Sequence, residues 1–161
     1  MRTTKTRILV VDDEVGFTRF LKLNLDGTGR YDTRVENCAL EALAAAREFH
    51  PDLILLDVMM PGMDGGDVGA RLQKDPVAKD IPIVFVTAAV QKGEVVSRHG
   101  VIGGLHFVAK PVAFEDLLDV IENRLSRTVA AHSRVRWAEV VALPDAPPLR
   151  VPIPPASPPG G

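Results

Sequence analysis

Leu53-Ile54-Leu55-Leu56-Asp57-Val58-Met59-Met60-Pro61 is the stretch on which the fold turns. Four consecutive aliphatic residues match a strand buried on both faces, which needs no alternation with polar residues. A carboxylate, Asp57, then stands where the strand should end. Pro61-Gly62 and Asp64-Gly65-Gly66 follow and signal a turn. Asp57 is thus expected at the carboxyl end of a buried strand, on the rim where open α/β sheets bind ligands. An aspartate there can also do no more than cap a turn, so the choice falls to the rest of the chain.

Toward the N-terminus, Arg7-Ile8-Leu9-Val10-Val11 is another aliphatic run, closed by Asp12-Asp13-Glu14. Residues 15–25 place Phe17, Phe20, Leu21 and Leu25 at helical spacing, and Gly27 and Gly29 stop that helix. Residues 31–35 suit a shorter strand. Asn37 is placed to cap the next helix, whose face carries Leu40, Leu43, Ala44 and Phe49 and which ends at His50-Pro51. Toward the C-terminus, Val68 and Leu72 mark a third helix, closed by Asp75-Pro76. Residues 81–87 read as a fourth strand ending in Thr87, with Pro82 at its start, where proline is tolerated. Residues 91–99 are a weak fourth helix, since an interior glycine such as Gly93 costs about 1 kcal/mol relative to alanine. Residues 105–109 form a fifth strand ending in Lys110-Pro111. Phe114, Leu117, Leu118, Ile121 and Leu125 then mark an amphipathic fifth helix.

Strands alternating with helices predict an α/β fold: a doubly wound five-stranded parallel sheet with helices on both faces. The flavodoxin-like order 2-1-3-4-5 suits five strands and puts a switch point between the first and third. Parallel strands share one carboxyl edge, so Asp12, Asp13, Asp57, Thr87 and Lys110 should converge there. Three carboxylates repel one another unless a cation sits among them. A hard divalent ion with oxygen ligands resolves that repulsion, and Mg²⁺ is the expected one. Three acids, an ammonium and a hydroxyl suit a phosphoryl group carried by Asp57, since a carboxylate can itself be a covalent nucleophile.

Composition narrows the class. The chain has 161 residues, 46% hydrophobic and 25% charged, enough for one domain with a core that needs no disulfide or metal. A net charge of −2 gives no broad attraction to nucleic acid or anionic membrane. The single Cys38 is expected as a small packed residue inside a helix. No apolar run reaches the roughly 20 residues of a membrane span, and no signal-peptide core follows Met1, so a cytoplasmic protein is expected. His50, His99, His106 and His132 have no ligand spacing. The glycines after Pro61 lack the Gly-Lys-Ser/Thr of a Walker loop.

Asp12-Asp13, Asp57, the Met60-Pro61-Gly62-Met63-Asp64-Gly65 turn, Thr87-Ala88 and Lys110-Pro111, in this order and spacing, resemble the receiver domain of bacterial two-component response regulators, the CheY-like group. The resemblance covers about residues 6–125. It implies that Asp57 accepts a phosphoryl group from a phosphohistidine of a sensor histidine kinase or histidine phosphotransfer protein. It implies Mg²⁺ on Asp13, on Asp12 mostly through water, on Asp57 and on the Met59 backbone carbonyl. Lys110 would pair with the phosphoryl group, Thr87 would move toward it, and Phe107 would turn inward into the space released. The Lys110-Pro111 bond is expected cis. The output surface would be the fourth helix, fifth strand and fifth helix, acting on a partner protein.

Two departures shape the expectation. Phe107 has no hydroxyl and can switch only by packing. Met59 and Ala89 occupy positions that in the family modulate loss of the phosphoryl group, and both are apolar, so slow self-dephosphorylation is expected. An aspartyl-phosphate hydrolase of the haloacid dehalogenase type would want an acid where Met59 stands. A degenerate receiver acting only as a scaffold would not keep all five site residues. The expected organisation is a receiver over residues 1–125, a helical extension over 126–143 and a Pro-rich tail over 144–161, with eight prolines in its 18 residues. Such an organisation has no separate output domain: it suits a stand-alone receiver without direct nucleic-acid or membrane contact, and it leaves a homodimer open.

Overall fold

The central strand behaves as its composition demands: every residue of Leu53–Leu56 is buried, because both faces of the sheet are covered. The computed structural model describes residues 4–88, 100–102 and 105–130. Its strands are Thr6–Val11 (β1), Tyr31–Glu36 (β2), Leu53–Leu56 (β3), Ile83–Thr87 (β4), Gly100–Ile102 (β5) and Leu105–Ala109 (β6). Its helices are Val15–Gly27 (α1), Ala42–Phe49 (α2), Gly65–Lys74 (α3) and Phe114–Ala130 (α4), with a 3₁₀ turn at Ala39–Glu41 leading into α2. The fifth helix of the sequence pattern is therefore α4, and its fifth parallel strand is β6. The weak helix expected over residues 91–99 lies outside the described residues, as do residues 131–161.

The sheet order is β2-β1-β3-β4-β6-β5. The first five members are parallel neighbours in the flavodoxin-like order. The sixth, β5, was not expected. It pairs antiparallel to β6, with Ile102 opposite Leu105. Two residues, Gly103-Gly104, separate them in the chain.

Alternate residues of each strand feed two cores. On one face Leu9, Val11, Ile54, Leu56, Phe85 and Phe107 meet Ala42, Ala45, Ala46, Val68 and Leu72 of α2 and α3. On the other, Ile8, Val10, Leu53, Leu55, Val84, Val86 and Val108 meet Leu21 and Leu25 of α1 and Leu117, Val120 and Ile121 of α4. Among the described residues, no helix is long and apolar enough to cross a membrane.

Three local expectations need correction. Leu40 is exposed, as is Ala44, and α2 turns Ala42, Ala45 and Ala46 inward instead. Small side chains let that helix lie close against the sheet. Cys38 is exposed and extended, ahead of the 3₁₀ turn rather than packed within a helix. Asn37 caps nothing: its amide donates to the Asp12 carbonyl at 2.6 Å and to the Thr18 hydroxyl at 3.0 Å, tying β2 to the end of β1 and to α1.

The link from β3 to α3 brings backbone close against backbone. Asp64 caps α3 by accepting the Asp67 N–H at 2.9 Å. Gly65 donates its N–H to the Val58 carbonyl at 2.7 Å. A β-carbon on Gly65 would lie 2.1 Å from the Asp57 carbonyl oxygen and 2.7 Å from Val58 Cα. Backbone meets backbone there, so glycine is required by space rather than by dihedral angle. Gly65→Ala should destabilise the fold by about 1–3 kcal/mol, the usual cost of overpacking, read by urea unfolding. Unchanged stability would contradict so close an approach.

Candidate functional site

β1, β3, β4 and β6 end at one edge; β4 ends in Thr87, and Asp12, Asp57 and Lys110 follow directly on the other three. The backbone ladder continues one step past the strands and fixes them there. The Asp12 N–H donates to the Glu36 carbonyl at 3.1 Å, the Asp57 N–H to the Val11 carbonyl at 2.9 Å and the Lys110 N–H to the Thr87 carbonyl at 3.0 Å. The positions of Asp12, Asp57, Thr87 and Lys110 are therefore consequences of register.

Lys110 is the centre of the arrangement. Its Nζ lies 2.6 Å from Asp12 Oδ2, 2.7 Å from Glu14 Oε1 and 3.8 Å from Asp57 Oδ2. The same ammonium stands 4.4 Å from the centroid of the Phe17 ring. Asp12 Oδ1 accepts the Glu14 N–H at 2.9 Å, and Asp57 Oδ1 accepts the Met59 N–H at 3.3 Å. The Thr87 hydroxyl hydrogen-bonds the Asp57 carboxyl. One carboxylate oxygen from each of Asp12, Asp13 and Asp57 can be chosen so that all lie within 4.8 Å of one another.

Asp12 and Asp57 are 1% and 5% exposed, so burial works against their charge. Burial pushes the Asp57 carboxyl above its ordinary value; the Lys110 ammonium opposes the rise and the Asp12 charge adds to it. Burial likewise raises Asp12, against its hydrogen bonds from Lys110 and the Glu14 N–H. For Lys110 burial acts downward, but the Asp12 and Glu14 carboxylates outweigh it and hold the ammonium above its ordinary value. Among the described residues Lys110 pairs with Asp12, Glu14 and Asp57, with Asp13 beside them, which leaves this cluster with an excess of negative charge.

Asp12, Asp13, Asp57, Thr87 and Lys110 are brought together as the sequence predicts. Met59 sits in the loop after Asp57, its side chain partly exposed and its N–H turned back to the Asp57 carboxylate. Phe107 is not at the rim. It is 3% exposed and stacked on Phe85, with centroids 5.0 Å apart and planes at 20°. The Lys110-Pro111 peptide is cis. Ala89 lies outside the described residues. Among the described residues no histidine joins a metal-ligand grouping. Glu14, Phe17, Asn37 and Gly65 are the participants the sequence did not single out. Glu14 carried a signal as the third acid of its cluster, and Gly65 as the last residue of the turn after Asp57.

The family model for the response regulator receiver domain matches residues 8–122. The DNA-binding response regulator MtrA of Mycobacterium tuberculosis is 40% identical over 128 residues, which span 79% of this chain and 54% of that protein. The chain spans about half the length of such curated relatives. The polar-differentiation response regulator DivK of Brucella ovis is 36% identical over 123 residues, 76% of this chain and 97% of that protein. Among solved structures, a CheY-like receiver domain protein from Methanospirillum hungatei superposes with a TM-score of 0.66 at 26% identity, covering 79% of this chain and 98% of that one. A response regulator from Desulfuromonas acetoxidans gives a TM-score of 0.63 at 27% identity, with coverages of 76% and 98%. With its parallel strands in this order and its acids and lysine at this edge, the chain belongs to the receiver domain family of two-component response regulators.

Proposed function

We propose that the chain is a phosphorylation-dependent switch in which Asp57 takes a phosphoryl group from the phosphohistidine of a sensor kinase or histidine phosphotransfer protein. The observation that carries this is Asp57 itself: a carboxylate 5% exposed, with an ammonium at 3.8 Å and two further aspartates beside it.

The donor set fits a hard divalent cation, because the oxygens of Asp12, Asp13 and Asp57 cluster within 4.8 Å and carry more charge than Lys110 balances. Those residues, with the Met59 carbonyl, would hold Mg²⁺, which supplies charge neutralisation to the phosphoryl oxygens. Asp57 acts as nucleophile: a carboxylate oxygen bonds phosphorus while the P–N bond breaks, and the imidazole leaves with the electron pair. Lys110, already held in the pocket, neutralises the new phosphoryl oxygens. Thr87, already bonded to the Asp57 carboxyl, donates to them.

Thr87 at Asp57 and Phe107 turned inward are the two features that the family resemblance ties to the switched state. Phosphorylation then stabilises a conformation the fold can already adopt, as expected of a population shift. The surface that changes would be built by β6, α4 and the segment before β5, and it would control a partner protein. The DNA-binding property named for MtrA belongs to that whole regulator; for residues 8–122 here we propose protein partners only. The protein is a phosphoacceptor that promotes its own phosphorylation and its own slow dephosphorylation. Apolar Met59 and Ala89 leave no side chain to orient an attacking water.

Three outcomes follow. A buried carboxyl whose folded value lies above its ordinary 3.8 destabilises the fold once ionised, so its favourable contribution is lost as pH rises from there through the folded value. Without divalent ions, Asp57→Asn should melt at a higher temperature than the wild type at neutral pH, and the gap should close as the pH falls toward 3.8; an equal or lower melting temperature at neutral pH contradicts the charge balance described. Acetyl phosphate with Mg²⁺ should add the mass of one phosphoryl group to the wild type and nothing to Asp57→Ala. Equal modification of the two would overturn the assignment. After removal of the donor the phosphorylated form should persist, and a lifetime of seconds would contradict the role given to Met59 and Ala89.

A further inference from the structure

The start of α1 carries two groups that the phosphoryl chemistry above does not use. Glu14 stands at the cap position of the helix, yet its side chain makes no hydrogen bond to the N–H groups there. It reaches instead to Lys110, with Oε1 2.7 Å from Nζ. Phe17 follows three residues later, a spacing that keeps two side chains on one side of a helix. The centroid of its ring lies 4.4 Å from the same ammonium, within range of a cation–π attraction.

An ammonium has three N–H donors. Asp12 accepts one at 2.6 Å and Glu14 a second at 2.7 Å. Asp57, the proposed nucleophile, is left 3.8 Å away, beyond hydrogen-bond length. The two close partners differ in kind. Asp12 is buried and belongs to the three carboxylates whose oxygens lie within 4.8 Å of one another. The Glu14 side chain is 62% exposed and stands outside that group. Asp12 is therefore shared between Lys110 and the place proposed for the cation. Among the described residues, the Glu14 carboxylate answers to Lys110 alone.

We propose that Glu14 is a positioning residue: in the unmodified protein it holds the Lys110 ammonium toward α1 and short of Asp57, and so slows the uptake of a phosphoryl group. The Phe17 ring supplies a second attraction on the same side. Lys110 has to leave Glu14 before it can meet phosphoryl oxygens on Asp57. An ion pair with one exposed partner is weak enough to break, so the restraint sets a rate without blocking the reaction. A role at the helix start does not account for Glu14, because its side chain caps nothing. The effect on phosphoryl uptake rests on the role proposed for Asp57; the placement of Lys110 does not.

Two readouts test this, the first without a phosphodonor. A crystal structure of unmodified Glu14→Ala should place Lys110 Nζ within hydrogen-bond distance of the Asp57 carboxylate instead of 3.8 Å from it. In the second, acetyl phosphate reacts with the full-length chain at saturating Mg²⁺, which removes any change in cation affinity from the comparison. The salt is about 0.15 M, where long-range repulsion of the anionic donor is screened. Glu14→Ala should be modified about two- to fivefold faster than the wild type, the range that loss of such an ion pair allows. Glu41→Ala, which removes an exposed charge that Lys110 does not pair with, should react at the wild-type rate. Lys110 unmoved in Glu14→Ala, a rate at or below that of the wild type, or the same acceleration from Glu41→Ala would overturn the proposal. If no form of the chain takes up a phosphoryl group, the phosphoacceptor reading fails, and the crystal structure alone decides whether Glu14 positions Lys110.

Discussion

A single ammonium among four carboxylates is the interaction on which the functional end of this protein depends. Lys110 touches Asp12 and Glu14 and stands one step from Asp57. Without it, two aspartates almost removed from water would face each other and Asp13 uncompensated. With it, the cluster holds together but stays short of positive charge, a shortage that suits the switch role proposed for it. Added positive charge is welcome there, and a phosphoryl group placed on Asp57 would find cationic and hydroxyl partners already in position.

The fold exists to hold that arrangement. Two aliphatic layers clamp β3, and register alone brings four strand ends level. Gly65 allows α3 to begin against the backbone of Asp57 and Val58, which bounds the loop on its far side. The same register connects the rim to the edge of the sheet. Thr87 pairs with Ala109, and two residues back along the same strands Phe85 pairs with Phe107, ring on ring. A displacement of Thr87 is therefore two residues from that aromatic stack.

The strand cores and the polar residues that end them were legible in the sequence because both are local patterns: Leu53–Leu56 followed by Asp57, or Ile83–Thr87 followed by a loop. The parallel order followed from alternation with helices. What was not legible depended on approach in space. Asn37 has the residue type of a helix cap, but the Asp12 carbonyl and Thr18 claim its amide. Of the expected inward face, Leu43 and Phe49 do pack against the core, but Leu40 falls in the 3₁₀ turn and is exposed, and the close seat of α2 on the sheet brings its alanines inward. Gly65 reads as one more turn glycine until the 2.1 Å approach of the Asp57 carbonyl is seen. Glu14 and Phe17 join the site only because the Lys110 side chain reaches back across the rim to them. β5, three residues long, is too short to show periodicity.

The most direct test of the central claim is a crystal structure with Mg²⁺ and beryllofluoride, a phosphoryl mimic. The account requires beryllium bonded to an Asp57 carboxylate oxygen, the metal against Asp12, Asp13 and Asp57, and Lys110 Nζ withdrawn from Asp12 to contact a fluorine. Beryllofluoride elsewhere, or Lys110 still paired with Asp12 and Glu14 beside an unmodified Asp57, would contradict it.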